Sequence, residues 1–289
     1  MIDYYHKYVK YKTKYLQFKN QYGSGNNIAH GNNNLMLKLL KEEKNNIVFS
    51  PISITYALAL VHQGTGGNTD RELTKLFGQK YSWQDLKTLK ELVTNDAIKM
   101  TNLILINNDF NVRKNYLQEA EKYAMIKYDN FSNTSKLVKE VNQYIEKNTK
   151  GLIKNALPEN SLSKLVKLLI LNTIYFKANW SKTFKKESTS KMNFITNGKQ
   201  KMVDMMHQTN DFNYYDDKIV QIIQIDYDKI DFSMIVILPK SNLNLVELNK
   251  VLNPDYFNLS KETNKFTTEK IDLYLPKFTQ RSKMQLVPF

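Results

Sequence analysis

Residues Asn46–Thr69, NIVFSPISITYALALVHQGTGGNT, constrain the fold more than any other stretch of the chain. They read as a strand end, a tight turn, a helix and a glycine-rich stop. Ser50 can cap the helix, and Pro51 suits its first turn, where a missing N–H costs nothing. Ile52, Ile54 and the run from Tyr56 to Val61 are apolar on every face, so this helix belongs inside a large core. Gly64, Gly66 and Gly67 end it, and Thr69-Asp70-Arg71-Glu72 reads as a capping box that opens a second helix. A core able to surround such a helix needs a long chain rich in apolar residues. The 289 residues, 42% hydrophobic and 12% aromatic, supply one, as a single large domain or two of ordinary size.

Residues 1–27 differ from the rest. Tyr4, Tyr8, Tyr11, Tyr15, Phe18 and Tyr22 form a heptad-like stripe on one helix face, interleaved with lysines. Gly23 to Asn27 then reads as a linker. Such a helix can dock on a membrane surface, a polyanion or a partner helix, or pack on its own domain. Residues 28–289 read as one continuous domain. Leu35–Glu43, the segment opened by Ser82-Trp83-Gln84-Asp85, Ser135–Lys150 and Leu245–Leu252 have helical spacing. Ile98–Ile106, Ile219–Asp226, Phe232–Leu238 and Phe266–Phe278 read as strands, and Asn197-Gly198 as a two-residue hairpin turn. Leu165–Phe176, LVKLLILNTIYF, is too uniformly apolar for a half-exposed strand and is expected to be central in a large sheet. Helices lead and strands dominate the second half without βαβ alternation, which predicts an α+β fold.

Composition and motif spacing exclude several chemistries. There are no cysteines, hence no disulfide, thiol nucleophile or thiolate metal site. His6, His30, His62 and His207 show no metal-binding spacing, and no G-x-S-x-G elbow is present. Gly64-Thr65-Gly66-Gly67 lacks the lysine and the preceding strand of a phosphate loop. His62 is expected to be a capping or core histidine and His207 to lie in a loop. No catalytic constellation, cofactor site or metal site is expected, so the chain is read as a non-enzyme. The net charge of +14 is carried almost wholly by lysine, the only arginines being Arg71, Arg113 and Arg281. Lysine in place of arginine argues against specific nucleic-acid recognition, and the abundance of Lys, Asn, Ile and Tyr suggests AT-rich coding; attraction to a polyanion or membrane surface through residues 1–22 is the alternative. With neither a signal-like h-region nor a membrane-length apolar run, an intracellular location is expected.

Several segments together resemble one family. Asn34–Ile54, Asn46–Thr69, Val141–Leu157, Leu168–Trp180 (LLILNTIYFKANW), Lys218–Lys240 and Lys270–Phe278 are similar in order and spacing to segments of the serpins, suicide inhibitors of serine proteases. The Tyr/Lys-rich N-terminus resembles those recurring in proteins of giant DNA viruses, which implies the host cytoplasm or a virion as location. The serpin resemblance implies N-terminal helices packed on a large mixed sheet A, with a partial sheet B/C. Ser50, Ser53 and Asn172 match the positions of the family's shutter, a polar cluster where sheet A opens; capping alone would also account for Ser50 and Ser53. Trp180 and Lys277 match its breach at the top of that sheet. The resemblance also implies that the fifth strand of sheet A, the reactive loop and the C-terminal strands are missing. Leu165–Phe176 and Lys270–Phe278 would then flank the gap as two unpaired edges. The chain alone is expected to be non-inhibitory. The alternatives are the N-terminal part of a split inhibitor completed by a separate strand donor, and an interaction protein docking through its basic N-terminal helix. Its partners would be a serine protease or that donor.

Overall fold

The computed structural model describes residues 25–42, 46–159, 161–163, 165–196, 199–240, 247, 248, 250, 252 and 266–282. The aromatic stripe of residues 1–22 and half of the expected helix at 245–252 lie outside them. The chain divides into two compact units, residues up to 36 with 50–176, and residues 37–49 with 177–289. Among the described residues, no helix is long and apolar enough to cross a membrane.

Helix α1 (Gly25–Glu42) begins earlier than its apolar spacing suggests and takes in Gly25–Asn27 of the expected linker. Helix α2 (Pro51–Gln63) starts as its sequence dictates. Ser50 is the N-cap in extended conformation, its side chain accepts from the Ser53 N–H, and Pro51 occupies the first turn. Thr55, Tyr56, Ala59, Leu60 and His62 form its fully buried face, while Ile52, Ile54 and Val61 are half-buried.

Helix α3 (Gly67–Phe77) corrects the expected capping box. Its N-cap is Gly66, so Thr69–Glu72 lie inside the helix. Gly67 starts it at φ +60, a conformation glycine adopts without a Cβ clash. Helix α4 (Trp83–Leu92) has a true capping box: Ser82 Oγ accepts from Asp85 N at 3.2 Å, and Asp85 Oδ2 accepts from Ser82 N at 2.7 Å.

Strand β1 (Ile98–Asn107), helix α5 (Lys114–Ala120), strand β2 (Met125–Asp129), helix α6 (Thr134–Asn148) and strand β3 (Leu168–Phe176) complete the first unit. The sheet order is β2-β1-β3. β1 and β2 are parallel, while β1 and β3 are antiparallel from Ile98↔Phe176 to Ile106↔Leu168. Alternation sorts the side chains. Leu103, Leu105, Leu169 and Leu171 face the apolar stripe of α6, where Leu137, Val141 and Ile145 close over Phe131. The opposite face of β3 packs on α2. β3 is therefore apolar on both faces, as its sequence requires, but it is not central. Among the described strands its only hydrogen-bonded neighbour is β1.

The second unit is an antiparallel sheet of β4 (Thr189–Thr196), β5 (Lys199–Asp216), β6 (Val220–Asp226) and β7 (Ser233–Pro239) in that order, with β8 (Thr267–Pro276) also on β5. Thr196 pairs with Lys199, which leaves two residues for the turn; Asn197 and Gly198 themselves are outside the described residues. Phe212, Ile223, Ile225 and Leu275 form its core.

Two expectations are corrected here. His207 lies in strand β5, paired with Tyr274 of β8, not in a loop. Its Nε2 is 2.5 Å from Asp272 Oδ1 and its ring stacks on Tyr274 at 4.4 Å, so cross-strand partners hold a stretch whose polar residues mimic a loop. Hydrogen bonds from His207 and then Thr209 hold the Asp272 carboxyl below the usual carboxylate range. The second correction concerns β8. It belongs to the sheet of β5, so Leu165–Phe176 and Lys270–Phe278 are strands of two different sheets and not the two flanks of one gap.

Candidate functional site

A chain of polar side chains runs behind β3. Ser53 N donates to Ser50 Oγ at 3.3 Å, and Ser53 Oγ donates to Asn172 Oδ1 in a short hydrogen bond. Asn172 Nδ2 donates to Asn102 Oδ1 at 2.5 Å, and Asn102 Nδ2 donates to the Tyr123 carbonyl at 3.1 Å. Tyr56 Oη donates to that same carbonyl at 3.4 Å.

The direction of the chain follows from its end point. A carbonyl can only accept, so the Asn102 amide nitrogen must face Tyr123 and its oxygen must face Asn172. That turns the Asn172 nitrogen towards Asn102 and leaves its oxygen for Ser53. One backbone carbonyl thus orients two side-chain amides and a hydroxyl.

Position and burial give the chain its weight. Asn172 and Asn102 are directly opposite in the β1–β3 register. Asn102 is only 8% exposed, so an unmet amide there would be costly. One residue along, the hydroxyls of Thr101 and Thr173 meet at 2.5 Å. Burial pushes the Tyr56 hydroxyl well above the usual tyrosine pKa and keeps it a neutral donor. Ser50 has its own expected effect: Ser50→Ala removes the α2 cap and costs about 1 kcal/mol by thermal or denaturant unfolding.

The structure thus brings Ser50, Ser53 and Asn172 together and adds Asn102, Tyr56 and Tyr123. Asn102 carried one readable signal, a polar residue at an inward position among Ile98, Met100, Ile104 and Ile106. Nothing in the sequence marked the Tyr123 carbonyl.

Trp180 and Lys277 are placed differently. The Trp180 indole stacks on Tyr227 at 4.7 Å and meets Phe184 edge-on at 6.3 Å, as part of the apolar cluster of the second sheet. Lys277 is exposed; its backbone N–H donates to the Asp204 carbonyl at 2.8 Å. The lysine is not among the ring partners of Trp180.

His62 is buried, with Nε2 at 3.3 Å from both Thr74 Oγ1 and Asp70 Oδ1, in keeping with a core histidine. Among the described residues no group of three or more His, Asp or Glu converges as a metal site would require.

Among the described strands β3 is hydrogen-bonded along one edge only, with this row of hydrogen bonds behind it. A family model described as Serpin (serine protease inhibitor) matches residues 30–289. The chain belongs to the serpin family. An uncharacterized serpin-like protein of Acanthamoeba polyphaga mimivirus is 34% identical, over 99% of this chain and 77% of the relative. One from Methanosarcina acetivorans is 30% identical over 87% of this chain and 61% of its own length. Neuroserpin of Gallus gallus is 27% identical over 84% and 64%. Among solved structures, emu ovalbumin superposes with a TM-score of 0.80 over 86% of this serpin and 73% of that chain, at 24% identity. Reaction-loop-cleaved lamprey angiotensinogen does so at 0.77 over 87% and 78%, also at 24% identity. This serpin therefore has the family fold, and its span covers 61% to 77% of these three relatives.

Proposed function

We propose that this serpin is a strand acceptor. Its sheet β2-β1-β3 takes an extended segment along the free edge of β3, and Ser50, Ser53, Asn172 and Asn102 act as the shutter that adjusts to the insertion. The observation that carries this reading is β3 itself. It is apolar on both faces, yet it is hydrogen-bonded to β1 alone among the described strands. An apolar strand edge attracts another strand. Strand addition to a serpin sheet is itself a known instance of this mode of recognition.

When a strand arrives, a hydroxyl or amide behind β3 can exchange partners at about 1 kcal/mol net per bond, so the cluster favours opening without large cost. Trp180 and Lys277 are assigned to the breach by their sequence positions. On this reading the residues present here do not trap a protease unaided. Inhibition, the activity of most of the family, requires a bait loop and a strand from a donor. That donor is either further chain or a separate polypeptide. The mimiviral relative matches almost the entire chain, which supports a viral setting.

The test is incubation with trypsin-like, chymotrypsin-like and papain-like proteases, followed by a denaturing gel. No covalent complex is expected from the chain alone. A denaturant-resistant complex with any of them would contradict the non-inhibitory reading.

A further inference from the structure

A cavity of about 710 Å³ opens in the first unit, between the end of α2, the start of α4, residues 110–116 and the first residues of β3. Trp83, Phe110, Tyr116, Leu168 and Ile170 give it an apolar lining. The aromatic wall is already built. Trp83 stacks on Tyr123 at 5.5 Å and tilts against Tyr116 at 5.8 Å, while Tyr116 Oη donates to the Leu60 carbonyl at 3.1 Å. Gly64 brings the chain close to that wall, since a Cβ there would stand 3.2 Å from the Tyr116 ring.

The charged groups of the lining are two. The Glu119 carboxylate takes the Lys122 ammonium at 2.8 Å. Arg113, the one cation of the lining, is exposed and makes no ion pair among the described residues. In a chain whose positive charge is almost wholly lysine, one of three arginines stands at this apolar cavity. A guanidinium offers a planar fork that fits a carboxylate through two parallel hydrogen bonds. The volume falls within the usual range for small-molecule sites.

We propose that this cavity binds a small monocarboxylate with an aromatic body, its ring against Trp83, Tyr116, Leu168 and Ile170 and its carboxylate on the Arg113 guanidinium. A single cation on an apolar wall matches a single negative charge. A phosphate dianion would leave charge uncompensated. Stacking against aromatic side chains favours a planar ring.

Isothermal titration of the full chain with 2-naphthylacetate, and with the uncharged 2-naphthylethanol, tests the site. The acid is expected to bind with a Kd below about 1 mM and the alcohol about tenfold more weakly, the value of one charge-assisted contact. Gly66→Phe should abolish binding of both. A Cβ at Gly66 meets nothing within 4 Å and the backbone there is extended at φ −151, so this variant should keep its circular dichroism spectrum and melting point while adding a ring at a lining position of the cavity. Arg113→Gln should weaken the acid about tenfold and leave the alcohol unchanged. Absence of binding by the unmodified chain, equal affinity for acid and alcohol, full binding by folded Gly66→Phe, or no selective loss in Arg113→Gln would each overturn the assignment.

Discussion

Asn172→Leu is expected to destabilise the first unit by about 2–4 kcal/mol, because it strands a buried amide and a half-buried hydroxyl at once. Ser53 Oγ loses its acceptor and Asn102 Oδ1 loses its donor. The apolar replacement fits among Ile170 and Ile174 on that face of β3, so the loss reports hydrogen bonding more than volume. Asn172→Asp separates the two bonds. A carboxylate still accepts from Ser53 but cannot donate to Asn102, and it faces an oxygen there.

That penalty depends on pH. The acceptor-rich neighbour should raise the folded carboxyl above its ordinary value. The variant is then relatively more stable at low pH, where the protonated acid can donate, and loses that advantage as pH rises past the unfolded value. Denaturant unfolding of the three proteins between pH 4 and pH 8 measures it. A pH-independent Asn172→Asp equal in stability to the parent would mean that the Asn172–Asn102 bond carries no weight.

Phe131→Ala is expected to cost more, about 3–5 kcal/mol. Phe131 is 1% exposed, enclosed by Leu103 and Leu105 of β1 and by Leu137, Val141 and Ile145 of α6. Truncation leaves a void that these side chains, fixed on a strand and a helix, fill only in part. This contact ties α6 to the face of β1 and β3 opposite α2, so the loss should appear as lowered protection of the α6 amides in hydrogen exchange. Phe131→Leu, which keeps most of the volume, should cost well under half as much by denaturant unfolding.

How much of this was legible in the sequence depends on how local each signal is. The start of α2 was readable because Ser50 and Pro51 act within one turn, and the opening of α4 at Ser82 for the same reason, although its capping box appeared only in the structure. The start of α3 is hidden in the sequence because Gly66 and Gly67 look like a stop, whereas a glycine at positive φ, as Gly67 is, can also open a helix. Much of β5 was missed because His207, Gln208, Thr209, Asn210 and Asp211 look like a loop. Their partners on β8 lie more than 50 residues away, as in His207↔Tyr274 and Thr209↔Asp272.

The apolar pattern of Leu168–Phe176 overstates its burial: Thr173 alone is buried, the rest are half-buried and Phe176 is exposed. The pattern could not report how many strands flank it, because apolar contact on both faces is set by the helices α2 and α6 and not by neighbouring strands. In the candidate site, Ser50, Ser53 and Asn172 were readable through the family resemblance. Asn102 became meaningful only once the register placed it opposite Asn172, and the Tyr123 carbonyl, being backbone, has no side-chain signature.

The central claim is that the free edge of β3 receives a strand. It is tested most directly by amide hydrogen exchange across Leu168–Phe176, with and without a synthetic peptide of alternating small residues about ten residues long, a usual strand length. The account predicts new protection at the alternate β3 amides that β1 does not engage, with a stabilisation of about 2.7 kcal/mol at a peptide concentration a hundredfold above its Kd. Unchanged exchange across β3 at a peptide concentration that saturates the protein would contradict it.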